Sequence, residues 1–590
     1  MTPDTVSVAN EVDDGSGAAR SGERGATGPD DAFDSPASLA REALLTGGPQ
    51  VTSDDLPSDG PRAMPTASAP AEPKATWVMP LALLASALAL LGNVQGIASG
   101  DDGVGYRAIA DSLLAGRGFG YFLERPVTIW PPLWPALMAF VARVTPLDTM
   151  GAAIVLNAVS VLVAVLVGHR LLRRTVGNGR LVLLGTLVIA LGSSTMGFGH
   201  LLMTDFAFAV VVMAWMLALM NFHDSGRPRW LLAASTLVWV GFGLRYVSVY
   251  LLALGGLWLL LDVRRRFGAR LLSAITYGVV GVVAPALWMA RNHGVDGTFT
   301  GERMHSARGV VDNGFDILAT MGRWLLPGVA NGATYMWAAI GGVVLLTSAW
   351  VGWRVLEAGP RHTAFDGPVR RFLAWLGRPS GLLAVQAFGY LTYMLYVRST
   401  TALNQLDMRL LNPAYLSLLA LALVLIDRTS RLGTPARPDP WHRRGMLTAH
   451  VWAAANVALG LVAVVSFAAG APFFSGNYER QLFRDVRANP ALAAIPAGCN
   501  LYSNLPNALY PRLGAKWSPR RTGLESDERM YELEELVPTL GRRPACLVWI
   551  DEEPRYGHIW TLEQLGQRVT LVELARNGDV AVYRIDPPAG

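Results

Sequence analysis

Apolar residues recur along this chain in runs of about 20, separated by polar loops, from about residue 77 to residue 470. A helix that rises 1.5 Å per residue needs about 20 residues to cross the roughly 30 Å hydrocarbon core of a bilayer. The pattern therefore predicts about eleven transmembrane helices, near 77–98, 149–168, 181–196, 206–221, 230–243, 247–262, 271–290, 333–352, 381–397, 411–426 and 447–470. Two further segments, 106–115 and 131–144, are too short or too interrupted to span, and they predict amphipathic helices at the membrane surface.

Both ends of the chain follow other patterns. Residues 1–75 are rich in Ser, Gly, Pro, Asp and Ala, and this composition predicts a disordered tail because too little apolar surface is present to offset ordering entropy. No cleavable signal peptide is visible, so the first apolar run is expected to act as an uncleaved signal anchor. From about residue 471 onward, strand-like runs occur at CNLYSN, CLVWIDE, RVTLVELA and DVAVYRID. The sequence thus predicts a tail at 1–75, an all-α polytopic membrane domain at 76–470, and a small α/β domain at 471–590.

The chain has two cysteines, and each opens one of the predicted C-terminal strands. An oxidising compartment would permit a disulfide between Cys499 and Cys546. Two buried free thiols are the alternative, and the sequence leaves both open.

Charge is scarce and unevenly placed. Hydrophobic residues make up 52% of the chain and charged residues 16%, whereas a soluble domain carries about 25% charge. The net charge of +5 would suit nucleic acid, but the arginines cluster in every second loop, which is the positive-inside pattern of membrane proteins. We therefore expect a cytoplasmic N-terminus, with the longer polar loops and the C-terminal domain outside. Scarce lysine beside abundant Ala, Gly and Arg is typical of a GC-rich bacterium, so the expected location is a bacterial plasma membrane.

The densest polar stretch on the predicted outer side is SGDDGVGYRAIADSLLAGRGFGYFLERPVTIWPPLWPAL. Asp101 and Asp102 follow the first span directly, where a carboxylate can take a proton from a hydroxyl or hold a divalent ion. Two adjacent acids do not point the same way, so only one is expected to face a reacting atom. The alternative is a solvated pair that caps a helix beginning near Tyr106.

The order of these features resembles the first external loop of the GT-C superfamily of integral-membrane glycosyltransferases. More narrowly, it resembles the family that includes the protein O-mannosyltransferases and the aminoarabinose transferases of lipid A. Further motifs follow in order, namely MTDFAF, GLRYVS, PALWMARNHGVDGTFTGER and DMRLLNPAY, and the resemblance runs from about residue 77 to the end. It implies a membrane glycosyltransferase that uses a sugar on a polyprenyl phosphate.

The resemblance also assigns candidate acids. The family motif is usually an Asp-Glu pair with Tyr four residues after the Asp, which selects Asp102 and Tyr106 and leaves Gly103 where Glu is common. Reading Asp101 as the first acid of the pair requires one extra residue before the tyrosine, so both remain candidate catalytic residues and Asp102 is preferred. Asp205 matches a second acid that many relatives carry, and its alternative role is the N-cap of the fourth span.

A departing lipid phosphate requires compensating positive charge. Arginine suits phosphate because its planar fork donates two hydrogen bonds at once. The candidate phosphate-binding residues, all at predicted outer span ends, are Arg245, Arg303 and Arg409, with Tyr106 beside them. Snorkelling at the interface is the alternative for the arginines. His200 and His305 could join a metal site; a divalent ion is compatible with the chemistry, but a monophosphate leaving group does not require one.

The predicted reaction is single displacement with inversion at the anomeric carbon, with an aspartate as general base and arginines on the leaving phosphate. The acceptor is expected to be a glycan, a lipid or a protein. The competing interpretations are a secondary transporter or lipid-linked sugar flippase, and a scaffold that presents the C-terminal domain. Transporters commonly contain internal repeats, and the two halves of this chain show no convincing repeat.

Overall fold

The structure is a computed structural model that describes residues 76–121, 126–301, 303, 305–326, 333–357, 367–432, 439–470, 481–519, 533–540, 544–551 and 559–587. The predicted tail, 1–75, lies outside the described residues. The helices before residue 470 are α1 (Val78–Gly92), α2 (Asp101–Leu114), α3 (Leu133–Val144), α4 (Thr149–Thr175), α5 (Gly179–Leu191), α6 (Ser193–Gly199), α7 (Asp205–Ser225), α8 (Pro228–Leu244), α9 (Tyr250–Leu261), α10 (Phe267–Asp296), α11 (Val310–Arg323), α12 (Thr334–Glu357), α13 (Pro368–Leu376), α14 (Pro379–Thr400), α15 (Asn412–Thr429) and α16 (Pro440–Ala468).

Each of the eleven predicted spans coincides with one of these helices or a pair of them. The third span is divided at Gly192 into α5 and α6, and the sixth begins with a 3-10 turn, Tyr246–Val249, that leads into α9. Within the described residues, seven spans are long and apolar enough to cross a membrane: α4, α5 with α6, α7, α10, α12, α14 and α16. The other four, α1, α8, α9 and α15, do not meet that standard by themselves, so their crossing remains a prediction.

Ion pairs between loops show which of them meet at each end of the bundle. At one end, Arg174 and Arg264 both contact Asp224, and Arg265 donates to the carbonyl of Phe222. The opposite end holds α2, α3 and the loops before α7 and α9. Helix α7 has 21 residues and covers about 30 Å, which separates the two ends by roughly a bilayer thickness.

The C-terminal segment forms a five-stranded sheet in the order β2-β1-β3-β5-β4, where β1 pairs in parallel with β2 and β3 and the other pairs are antiparallel. The strands are β1 (Asn500–Ser503), β2 (Lys516–Trp517), β3 (Ala545–Ile550), β4 (Thr570–Asn577) and β5 (Val580–Asp586), and the short helices around them are α17 (Gln481–Ala488), α18 (Pro506–Leu509), α19 (Leu533–Leu536) and α20 (Leu562–Gly566). All four predicted strands are present, and β2 is an addition. Cys499 and Cys546 form a disulfide, which decides between the two alternatives.

The sheet packs against the first surface helix. Val104 of α2 belongs to the apolar cluster beneath the sheet, together with Leu501 and Val548. The hydroxyl of Tyr510 donates a hydrogen bond to Asp111 of α2. Burial raises the pKa of Tyr510, and Asp111 raises it further, so the phenol keeps the proton that it donates. The C-terminal segment thus lies at the end of the bundle where α2 lies.

Candidate active site

The predicted acid pair lies inside the first turn of α2. This helix begins at Asp101, five residues before the predicted start near Tyr106, and its N-cap is Gly100. The predicted start was therefore wrong: both acids belong to the helix and do not precede it. The side chain of Asp101 lies outside what the structure describes, so its role remains a prediction.

Asp102 contacts an indole and a guanidinium. Trp130 donates its Nε1–H to one carboxylate oxygen over 3.0 Å, and a terminal nitrogen of Arg409 lies 3.7 Å from the other. The side chain of Asp102 is 34% exposed, so one edge remains open to a substrate. Tyr106 lies one helical turn later, and residues four apart share a face of a helix. Its ring is buried against the ring of Trp130, and its hydroxyl lies 3.4 Å from the hydroxyl of Thr204.

A second ion pair lies beside the first. One oxygen of Asp205 is 2.8 Å from a terminal nitrogen of Arg245, and the Asp205 side chain is only 2% exposed. Helix α7 begins at Asp205 with Thr204 as its N-cap, so Asp205 does not cap the helix. Its other carboxylate oxygen has no hydrogen-bond partner among the described residues. A buried carboxylate without full hydrogen bonding is stabilised by the nearby positive charge.

The two pairs form one electrostatic cluster. Arg245 and Arg409 each interact with both Asp205 and Asp102. Asp407 joins from the loop before α15, where its carboxylate accepts hydrogen bonds from the backbone N–H of Arg409 over 3.0 Å and of Leu410 over 3.1 Å. This turn holds the backbone of Arg409 in place while its side chain reaches towards Asp102.

Arg303 does not join this cluster in the contacts that the structure shows. Its guanidinium donates to the carbonyl of Ile129 over 3.0 Å, and its side chain is exposed. Ile129 directly precedes Trp130, so Arg303 contacts the segment that holds the indole. The structure thus brings Arg245 and Arg409 together with Asp205 and Asp102 and places Arg303 beside the segment that carries Trp130.

The segment that carries Trp130 is fixed by residues that the sequence did not single out. The hydroxyl of Tyr246 lies 2.7 Å from the carbonyl of Thr128 and 3.1 Å from that of Trp130. Asn292 of α10 donates to the same hydroxyl over 3.1 Å, and Arg291 donates to the carbonyl of Val127 over 2.6 Å. Tyr246 lies in the motif GLRYVS and Asn292 in ARNHG, so the motifs contained them, but no periodicity distinguishes them from their neighbours.

Two glycines let α2 approach this segment. A Cβ at Gly105 would lie 2.7 Å from the ring of Trp130. A Cβ at Gly103 would lie 2.8 Å from the carbonyl oxygen of Leu202. Since real Cβ atoms essentially never come that close, a side chain at either position would require this backbone to shift.

The two histidines take separate positions. Nδ1 of His200 lies 2.9 Å from the side-chain oxygen of Asn93, and the imidazole stacks on Phe467. Burial lowers the pKa of His200 to about 4, so it is neutral near pH 7. His305 is exposed. Within the described part of the chain, no group of three His, Cys, Asp or Glu side chains could hold a metal ion.

Comparisons with known proteins bear on the fold. No family model matches the chain, and no curated protein matches it. Among solved structures, ArnT from Cupriavidus metallidurans bound to undecaprenyl phosphate has 15% identity and a TM-score of 0.54, covering 87% of this chain and 98% of that one. AglB oligosaccharyltransferase from Archaeoglobus fulgidus, in complex with an inhibitory peptide and a dolichol-phosphate, has 11% identity and a TM-score of 0.42, covering 74% of this chain and 63% of that one. The first match confirms the predicted GT-C-like fold class: this chain shares its fold with ArnT.

Proposed function

We propose that this protein transfers a sugar from a polyprenyl-phosphate donor to a hydroxyl of an acceptor at the membrane surface. The observation that carries the proposal is the cluster in which Asp102 lies 3.7 Å from Arg409 beside the buried pair of Asp205 and Arg245. This cluster places an accessible base, Asp102, beside two cations, Arg409 and Arg245, at one end of a GT-C fold. The solved structure of ArnT holds undecaprenyl phosphate, which supports a lipid phosphate as the leaving group.

Asp102 is the proposed general base. Its carboxylate accepts one hydrogen bond from Trp130, and an ionised carboxylate has about four acceptor positions, so room remains for a substrate hydroxyl. As the acceptor oxygen bonds to the anomeric carbon, its proton passes to Asp102. The bond between that carbon and the phosphate oxygen breaks, and the electron pair leaves with the polyprenyl phosphate. Attack from the face opposite the leaving group inverts the configuration.

Arg409 and Arg245 are the proposed phosphate ligands. The Arg409 side chain is 18% exposed and lies 3.7 Å from Asp102, so a phosphate with more charge than a carboxylate can compete for it. Arg245 is 21% exposed and is held by Asp205, which orients the guanidinium before the donor arrives. Tyr106 is buried beside them and is proposed to position this cluster. Arg303 supports the loop that carries Trp130.

Binding of the leaving carrier tests this arrangement. Undecaprenyl phosphate bound to the purified chain would be quantified by native mass spectrometry. Arg409→Gln is expected to weaken this binding about tenfold, because charge-assisted hydrogen bonds are roughly twice as strong as neutral ones. Arg143→Gln is the matched control, since Arg143 is an exposed arginine in the last turn of α3 at the same end of the bundle. Equal binding by the two variants would remove Arg409 from the phosphate site.

We place this end of the bundle outside the plasma membrane. The arginine-rich loops lie at the opposite end, and the disulfide between Cys499 and Cys546 favours an oxidising compartment. Because these are the chain's two cysteines, Asn577→Cys adds one free thiol on an exposed turn of the sheet. It is expected to react with a membrane-impermeant maleimide in intact cells, while Arg229→Cys reacts only after lysis. The reverse pattern would invert the topology.

A further inference from the structure

A polar cavity opens at the end of the bundle opposite to Asp102. Its volume is about 360 Å³, which lies in the range of about 300–1,000 Å³ that is common for small-molecule sites. The ends of α4, α9, α14 and α15 surround it. The charged groups that line it are Arg174, Arg264, Arg378, Arg428, Asp262 and His223.

The lining is strongly cationic. Four arginines face one carboxylate, and that carboxylate, Asp262, is already engaged 3.1 Å from His223 and 3.2 Å from Arg265. Arg174 and Arg264 share Asp224 at the margin. The remaining positive charge therefore exceeds what the lining acid neutralises, and an anion would lower the repulsion among the guanidinium groups.

Two of the arginines that line the cavity, Arg378 and Arg428, are positioned to bind an anion. Arg378 is exposed, and the described residues give it no ion pair. Arg428 lines the cavity beside it and donates a hydrogen bond to the hydroxyl of Ser380 over 3.3 Å. Two planar guanidinium groups on neighbouring helix ends match the several oxygens of a phosphate, which accept paired N–H donors.

We propose that this cavity binds the phosphate of an anionic phospholipid head group. A lipid is favoured over a soluble phosphate because α13, whose residue Ala374 lines the cavity, exposes Phe372 at 40% and Leu373 at 47%. An amphipathic helix with exposed apolar side chains at a helix-bundle end lies in the interface, where acyl chains cover it. Basic pockets between membrane helices on the cytoplasmic side are suited to anionic head groups. Helix α7 begins at Asp205, beside Asp102, and ends about 30 Å away near His223, which lines the cavity. The cavity is therefore distinct from the proposed donor site.

The test uses the full chain in phosphatidylcholine nanodiscs, with phosphatidylglycerol titrated in and bound lipid counted by native mass spectrometry. The wild type is expected to bind phosphatidylglycerol saturably. The double variant Arg378→Gln with Arg428→Gln is expected to bind it about tenfold more weakly, because it lacks two charge-assisted contacts. Arg229→Gln is the control, since Arg229 is an exposed arginine at the same end of the bundle but outside the cavity.

The single variant Arg378→Gln keeps the test informative if the double variant folds poorly, because this side chain is exposed. It is expected to weaken phosphatidylglycerol binding while Arg229→Gln leaves it unchanged. Equal binding in wild type and Arg378→Gln, or equal loss in the control, overturns the site. Inorganic phosphate is titrated separately by calorimetry: saturable phosphate binding without a preference for phosphatidylglycerol over phosphatidylcholine overturns the lipid assignment.

Discussion

Replacing Asp102 by Asn separates catalysis from folding. The amide keeps the shape of the side chain, and its oxygen can still accept the 3.0 Å hydrogen bond from Trp130, but it cannot take a proton from an acceptor. Removing a general base commonly costs about 100- to 10,000-fold in rate, which corresponds to roughly 2.7–5.4 kcal/mol of activation free energy.

The cost in stability is expected to be small by comparison. The ion pair with Arg409 is long, at 3.7 Å, and a third of the Asp102 side chain is exposed. Pairs of this kind contribute about 0–1 kcal/mol to the free energy of unfolding. Asp102→Asn should therefore unfold in detergent close to the temperature of the wild type while its transfer rate falls by at least two decades.

The assay is transfer from a labelled polyprenyl-phosphate sugar in proteoliposomes, with each variant first shown to be monodisperse. Asp101→Asn is the matched control, since it removes the neighbouring carboxylate from the same helical turn and should keep a measurable part of the activity. An inactive Asp101→Asn beside an active Asp102→Asn would move the base by one residue. Full activity in both variants would refute general-base catalysis by this pair.

Three more predictions follow from contacts around the same cluster. Asp205→Asn leaves Arg245 without its buried partner and should lower the free energy of unfolding by about 3–5 kcal/mol, measured by thermal unfolding in detergent; an unchanged transition would contradict a tight pair. Trp130→Phe keeps an aromatic ring but removes the indole N–H that donates to Asp102, and we expect about a tenfold slower transfer with stability within about 1 kcal/mol of the wild type. Gly103→Ala forces a Cβ against a backbone carbonyl and should cost about 1–3 kcal/mol of stability, so a variant as stable as the wild type would show that α2 can shift away.

Much of the helical architecture was predictable from the sequence. Runs of about 20 apolar residues correspond to helices because a bilayer-spanning segment has few alternatives to a helix. The surface helices α2 and α3 were also expected from their short amphipathic patterns. The predicted start of α2 was wrong because glycines such as Gly103 and Gly105 favour a loop when only the sequence is considered. In the structure, their small size permits close packing on Leu202 and Trp130.

The C-terminal sheet shows a second limit. Its four longer strands carry strand-like runs of residues, but β2 has only two residues and gives no pattern. The disulfide depends on the parallel pairing of β1 with β3, which sets Leu501 opposite Cys546 and brings Cys499 close. Such register is a property of tertiary structure, so the spacing of the cysteines alone left the alternatives open.

The candidate site was predicted unevenly for the same reason. The spacing of Asp102 and Tyr106 in the motif selected both residues, and their common helix face follows once α2 begins at Asp101. The pairing of Asp205 with Arg245 and the hydrogen bond from Trp130 join distant segments, so no local pattern reveals them. Arg303 was a candidate on its position at a span end, and tertiary packing directs its guanidinium to the carbonyl of Ile129.

The central claim is that the sugar leaves its lipid carrier, and following both products measures this directly. Proteoliposomes with the purified chain, a polyprenyl-phosphate sugar and cell-envelope acceptors would be extracted over time and analysed by mass spectrometry. The proposed function predicts one free polyprenyl phosphate for each sugar joined to an acceptor, with the anomeric configuration inverted and both products absent in Asp102→Asn. Movement of the intact sugar carrier between leaflets without cleavage would contradict it and indicate a flippase instead.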